Sequence, residues 1–171
     1  MQELYIPKER LAILKEKKAI VSRLEKTLKC KISVDVHGSI VIEGTPFEEY
    51  QARNVLYAFG RGFDMKFAEL LLGDDYYFSY LDINDYVNSK NRIRTVKSRL
   101  IGSEGRAKRY IEEVSAAKVS VYGDTVSFIG TIEQVKEATT AARTIIEGGS
   151  HRLAYRKMEA AHRKNNNDMF V

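Results

Sequence analysis

The chain has 171 residues, with 28 lysines and arginines against 23 aspartates and glutamates, a net charge of +5 and 44% hydrophobic residues. That length holds one domain or two small ones, the hydrophobic fraction supports a packed core, and the positive balance tilts toward an anionic partner. One cysteine, Cys30, excludes an internal disulfide and a cysteine metal cluster, and no apolar run approaches the ~20 residues of a membrane span. The opening MQELYIPKER lacks the basic-then-apolar pattern of a secretion signal, so a reducing, cytoplasmic setting is expected. In chain order, Glu3–Ile6 reads as a strand, Lys8–Leu14 as a helix and, after a break, Ile20–Leu28 as a second helix. Lys31–Asp35 and Ser39–Glu43 follow as strands and Phe47–Phe59 as a helix. A short helix, Asp64–Leu72, leads into the acidic turn Gly73-Asp74-Asp75. Tyr76–Ile83 is aromatic and branched, which reads as a strand. Ser89–Ile101 places Ile93, Val96, Leu100 and Ile101 at helical spacing. Gly102-Ser103-Glu104-Gly105 breaks that pattern, and Arg106–Ser115 resumes it. Lys118–Tyr122 and Thr125–Ile129 alternate around Gly123-Asp124, a hairpin pair. Thr131–Ile146 is a long helix stopped by Gly148-Gly149. His151–Lys164 is a basic helix, after which Asn165-Asn166-Asn167 is expected to fray.

The second half repeats the first. LEKTLKCKISV, from Leu24, lies against IEEVSAAKVSV, from Ile111, at an offset of 87. Gly44-Thr45 lies against Gly130-Thr131 at 86, one residue having slipped in the turn between. The common order predicts an α+β fold made of two copies of a unit of roughly 75–85 residues. Residues 1–60 form the first copy, 61–75 a joining helix and acidic turn, 76–149 the second copy, and 150–171 a basic helix and tail. Charge is segregated across these parts. Asn88–Arg109 carries eight basic residues against one acid, Glu104. His151–Lys164 carries five against Glu159. The bland reading of both runs is solvated helix faces.

Two helices joined by a GxxG loop, then two strands and a helix, make the type I KH arrangement, β-α-α-β-β-α, whose loop clamps about four nucleotides of a single strand. Bare backbone at Gly102 and Gly105 lets N–H groups approach phosphate. The following helix presents its N-terminus to the same phosphates. Arg99, Arg106, Lys108 and Arg109 add charge attraction, and Ser103 and Glu104 complete the loop. Ile101, Val119 and Val121 are expected as the apolar floor for the bases. Arg152, Arg156 and Arg163 sit close to one helical face and are expected to extend the surface. The GxxxxGK[ST] pattern of a phosphate-binding ATPase is absent. In the first copy the two glycines fall on Lys15 and Lys18, so it reads as a degenerate KH unit, suited more to packing and partner docking. No catalytic or metal set is expected. His37, His151 and His162 lack ligand spacing, and Asp74, Asp75, Asp82 and Asp85 read as a linker turn and a strand end. Tyr76, Tyr77, Phe78 and Tyr80 could stack bases, but a half-buried strand accounts for them.

Three stretches together carry a family resemblance: AFGRGFDMKFAELLLGDDY from Ala58, RLIGSEGRAKRYIEEVSAAKVSVYGDTVSFIG from Arg99, and GGSHRLAYRKMEAAHRK from Gly148. They resemble the archaeal two-KH small-subunit assembly factors, relatives of the eukaryotic partner-of-Nob family. The resemblance implies two tandem KH domains packed as one body, binding near the 3′ end of small-subunit ribosomal RNA. It further implies assistance to a Nob-type maturation endonuclease and a link to the alpha subunit of translation initiation factor two. The resulting expectation is a non-catalytic binder of single-stranded RNA, without cofactor or membrane. The alternative is an adaptor whose KH folds mainly hold one of those proteins.

Overall fold

The computed structural model describes residues 1–168; the tail expected beyond the last helix, residues 169–171, lies outside them. The chain divides into two units, Met1–Gly73 and Asp74–Val171.

In the first unit, strand β1 (Gln2–Leu4) leads to helices α1 (Lys8–Glu16) and α2 (Lys18–Leu28), then strands β2 (Lys31–Val34) and β3 (Ile40–Glu43) and helix α3 (Pro46–Gly60). A single residue, Lys17, separates α1 from α2. The three strands form an antiparallel sheet in the order β1-β3-β2. Leu14, Leu24, Ile40, Ile42 and Leu56 fill its core. Arg10 donates to the carbonyls of Phe59 at 2.9 Å and Phe63 at 2.6 Å, satisfying acceptors at the C-terminal end of α3. The short helix expected to follow is split into α4 (Met65–Ala68) and a 3-10 turn, Glu69–Leu72.

The second unit runs the same way. Strand β4 (Tyr77–Asp82) precedes helices α5 (Lys90–Ile101) and α6 (Arg106–Ser115), strands β5 (Lys118–Tyr122) and β6 (Thr125–Gly130), and helix α7 (Ile132–Ile146). Its sheet is antiparallel in the order β4-β6-β5. Tyr122 pairs with Thr125 across the two-residue turn. Local chemistry sets the helix starts. Ser89 accepts from the Arg92 N–H, and Thr131 with Gln134 forms a capping box over α7. Thr45 with Glu48 caps α3 in the same manner. Ile93, Val96, Leu100, Ile111, Val126, Phe128 and Ile145 form the core.

A further helix, α8 (His151–Asp168), packs on α6 and α7 and buries Ala154 and Met158 completely. It continues through the asparagines expected to fray. The cause is Glu137, a buried carboxylate on α7. Asn165 Nδ2 donates to its Oε1 at 2.7 Å, and His162 Nδ1 lies 2.8 Å from its Oε2. Asn166 Nδ2 is 3.0 Å from His162 Nε2, so an imidazole protonated at Nδ1 satisfies all three groups. His162, which lacks the spacing of a metal ligand, thus serves as partner to a buried acid. Glu137→Ala removes that acceptor and leaves donors unpaired, a loss of about 1–3 kcal/mol. Amide exchange across residues 160–168 should then rise roughly 5- to 150-fold, while residues 151–158 stay protected by Ala154 and Met158.

Candidate nucleic-acid interface

The loop between α5 and α6 is built from two glycines with different duties. Gly102 closes α5, its N–H donating to the Ser98 carbonyl at 2.8 Å, with φ 73° and ψ 173°. A β-carbon there would stand 2.7 Å from Ala107 N and 2.8 Å from Ala107 Cβ, so the two helices meet through its hydrogen. Gly105 has φ 73° and ψ 17°, and a β-carbon there would meet nothing within 4 Å. One glycine permits close packing; the other faces open space. Between them, Ser103 is exposed and Glu104 takes the left-handed conformation at φ 54°. Arg109 Nη2 donates to the Glu104 carbonyl at 2.7 Å, which holds this turn. The Glu104 carboxylate sits 3.6 Å from Arg106, and both are exposed. The pair is weak, but it offsets the one negative charge in the loop.

The flanking side chains divide by use. Ile101 is 38% exposed beside the loop, an apolar platform on the surface. Lys108 lies 3.5 Å from Glu112, whose Oε1 also accepts from the Val119 N–H at 2.9 Å, tying β5 to α6. Val121 is partly buried at the edge of the core. Two expected contacts are used otherwise. Val119 pairs in register with Phe128 and is 4% exposed, so it belongs to the core and offers no surface to a base. Arg99 turns inward, its guanidinium donating to the Ile145 carbonyl at 3.1 Å and to the Gly149 carbonyl. The Arg99 carbonyl in turn lies 2.8 Å from His151 Nε2. This reciprocal link joins the end of α5, three residues before Gly102, to the start of α8.

On α8, Arg152, Arg156 and Arg163 are exposed. Arg152 and Arg156 border a shallow depression with Tyr155 and Glu159. Tyr110 from α6 underlies it, its ring 4.4 Å from Tyr155 and its hydroxyl donating to Glu159. That hydrogen bond, with burial, pushes the Tyr110 phenol above its usual pKa, and burial does the same to Tyr155. Tyr155 is expected from the sequence beside the arginines, as a docking residue with Leu153 and Met158; Tyr110 as its partner is not. The signal for that anchor was Tyr155 and Glu159 at i, i+4 on the face that carries the arginines.

The first unit has a groove of its own. Leu14, Lys15, Lys18, Val21, Ile32 and Val34 line an open, mostly apolar concavity of about 460 Å³. At the offset of 87 these positions match Ile101, Gly102, Gly105, Lys108, Val119 and Val121. The concavity therefore lies at the place that matches the loop and floor residues of the second unit, with lysines at the rim where the second unit has glycines.

Other candidates fall to structural roles. Cys30 is buried, and burial pushes its thiol pKa up. Asp82 accepts from the N–H and the side-chain amide of Asn84 at a strand end. Among the described residues no group of three or more His, Cys, Asp or Glu could hold a metal ion, and no helix is long and apolar enough to cross a membrane.

Residues 77–163 match the family model for the second KH domain of PNO1 proteins, a eukaryotic type KH-domain (KH-domain type I). A KH domain-containing protein of Methanocaldococcus jannaschii is 40% identical over 167 residues, spanning 94% of this chain and 74% of the relative. The crystal structure of Dim2p from Pyrococcus horikoshii is similar with a TM-score of 0.83 and 36% identity, over 93% of this chain and 98% of that one. A chain of the a/eIF2alpha-aDim2p-rRNA complex from the same organism matches with a TM-score of 0.86 and 34% identity, over 95% and 94%.

Proposed function

Because this chain belongs to the PNO1/Dim2 family of RNA-binding KH-domain proteins, we propose that it binds single-stranded RNA near the 3′ end of small-subunit ribosomal RNA and assists maturation of that end. It acts as two tandem type I KH domains, residues 1–60 and 76–149, joined by 61–75 and followed by the basic helix of 150–171. The observation that carries this reading is the open space over Gly105, where a phosphate can approach backbone unobstructed. Ile101 and Val121 then flank the bases, and Ser103, Arg106, Lys108 and Arg109 surround the strand. Arg152, Arg156 and Arg163 continue the positive surface. The role is non-catalytic and cytoplasmic, with cleavage supplied by a Nob-type endonuclease. The alpha subunit of translation initiation factor two is a protein partner, a reading supported by the similarity to a chain from the complex of that subunit with Dim2p and rRNA.

The groove of the first unit favours a second reading. Its apolar lining and lysine rim suit an unpaired stretch of RNA, held by charge rather than by backbone. On this reading the degenerate copy contacts the RNA as well, beside or instead of a protein-docking role.

The test is a titration of RNA carrying the 3′-end sequence of small-subunit rRNA, against a scrambled strand and a duplex, over a range of salt. Four contacted phosphates predict a slope of log K against log salt of about −3 for a single strand. The native strand should bind tighter than the scrambled one, and both tighter than the duplex. Equal affinity for duplex and single strand at moderate salt would rule out a cleft built for single strands.

A further inference from the structure

The basic run expected from the sequence extends well N-terminal of the loop, and the loop does not use that part of it. On α5, Lys90, Arg94, Lys97 and Ile101 are four, three and four residues apart. At 100° per residue they fall within an arc of about 60°, and at 1.5 Å per residue they run for about 16 Å. Lys90 and Arg94 are exposed, and Lys97 is half-buried. The buried residues Ile93, Val96 and Leu100 lie on a different face. The stripe ends at exposed Ile101, next to Gly102. In the first unit the residue matching Ile101 is Leu14, which lines the groove.

Two further observations separate this stripe from an ordinary solvated face. Among the described residues, none of the three cations has an ion-pair partner within 4 Å. Of the acids around the loop and α6, Glu104 pairs with Arg106 and Glu112 with Lys108, and Glu159 on α8 accepts from Tyr110. The stripe also sits largely on helix that the repeat unit does not need. Helix α1 begins at Lys8, which matches position 95, whereas α5 begins at Lys90. The extra residues, 90–94, add one core side chain, Ile93, and three cations, Lys90, Arg92 and Arg94.

We propose that Lys90, Arg94 and Lys97 form a phosphate-binding rail continuous with the glycine loop. The rail holds the backbone of two or three nucleotides of a single strand beyond those in the cleft, without reading their bases. Its ligand is the sugar-phosphate chain leaving the loop. This rests on the RNA reading above, and it adds a length requirement that the loop alone does not impose.

The test compares a five-nucleotide RNA from the 3′-end sequence with twelve-nucleotide RNAs that extend it on the 5′ or on the 3′ side. The variant Lys90→Gln, Arg94→Gln, Lys97→Gln keeps good helix formers at two exposed positions and one half-buried one, and matched melting curves confirm its fold. One of the two long RNAs should lose about tenfold in affinity at low salt, and its salt slope should shrink by about 2, because three phosphates are no longer neutralised. The five-nucleotide RNA should bind within about twofold of the unsubstituted protein. Equal loss for short and long RNA would reduce the rail to a diffuse field and overturn the proposal. Unchanged binding of both long RNAs would leave the stripe to an acidic protein and overturn it too. Gly105→Asp serves as the separate control: if it spares the five-nucleotide RNA, the loop reading fails, and the rail is judged on the length difference alone.

Discussion

Gly105→Asp should lower affinity for single-stranded RNA by about tenfold or more, and Gly105→Asn should lower it only a few-fold. The pair isolates charge from shape. Gly105 sits at φ 73° and ψ 17°, a left-handed conformation that asparagine and aspartate tolerate better than other residues. A β-carbon at this position meets no other atom, so both variants fold with a similar small penalty. They differ in one negative charge, placed where a phosphate must come. A hydrogen bond to a charged phosphate is worth roughly 1.5–3 kcal/mol, and repulsion adds to the cost of removing it. Lys15→Ala with Lys18→Ala provides the comparison in the first unit. Those lysines are exposed, so their removal should cost a few-fold and fade as salt rises. Equal effects of the aspartate and asparagine variants would mean that the space over Gly105 is not where phosphate binds. A lysine pair that remained the more damaging at high salt would move the principal cleft to the first unit.

The parts of this fold that were legible in the sequence are those governed by neighbours along the chain. Thr45 with Glu48 and Thr131 with Gln134 each form a capping box, and the helices they start, Pro46–Gly60 and Ile132–Ile146, differ by 86 residues at both ends. The offset read from Gly44-Thr45 and Gly130-Thr131 is the same. Gly123-Asp124 likewise announced its own hairpin. What escaped was decided at long range. Arg99 is one of eight cations in its run, and nothing local distinguishes it. The carbonyls that take its guanidinium lie 46 and 50 residues away. Asn165 is held by Glu137, 28 residues earlier, a carboxylate whose burial no local pattern shows. Val119 and Val121 alternate with Ser120 as a floor strand should, yet pairing with Phe128 puts Val119 in the core and leaves Val121 alone near the surface. In the first copy, an apolar lining surrounds Lys15 and Lys18 although both loop glycines are missing, and no local pattern joins its residues from α1, α2 and β2. The candidate site was therefore legible as a motif. The division of its side chains between binding and bracing was not.

Gly102→Ala should act on stability where Gly105→Asp acts on binding. Gly102 has φ 73° with ψ 173°, a region that is essentially glycine's own, and a side chain held there costs about 1–3 kcal/mol. The new β-carbon would also press on Ala107 N at 2.7 Å and Ala107 Cβ at 2.8 Å. Relief requires the first turn of α6 to move away from α5. Ala107 and Ile111 are buried on α6 and Leu100 on α5, so that movement disturbs the core, at about 1–3 kcal/mol for overpacking. Together the terms predict a loss of about 3 kcal/mol for the second unit, or a fall in melting temperature of roughly 12–24 °C for a domain near 100 residues. Amide exchange in Arg106–Ser115 should accelerate with it, while the first unit keeps its protection. Adding Ala107→Gly removes the Cβ–Cβ clash but not the contact with Ala107 N or the strained φ, so it should restore only part of the loss. At a temperature where the variant is still folded, its RNA affinity should stay within a few-fold of the unsubstituted protein, since the open space over Gly105 is unchanged. Unfolding indistinguishable from the unsubstituted protein would show that the helices do not approach through Gly102, and both glycines would then belong to the ligand.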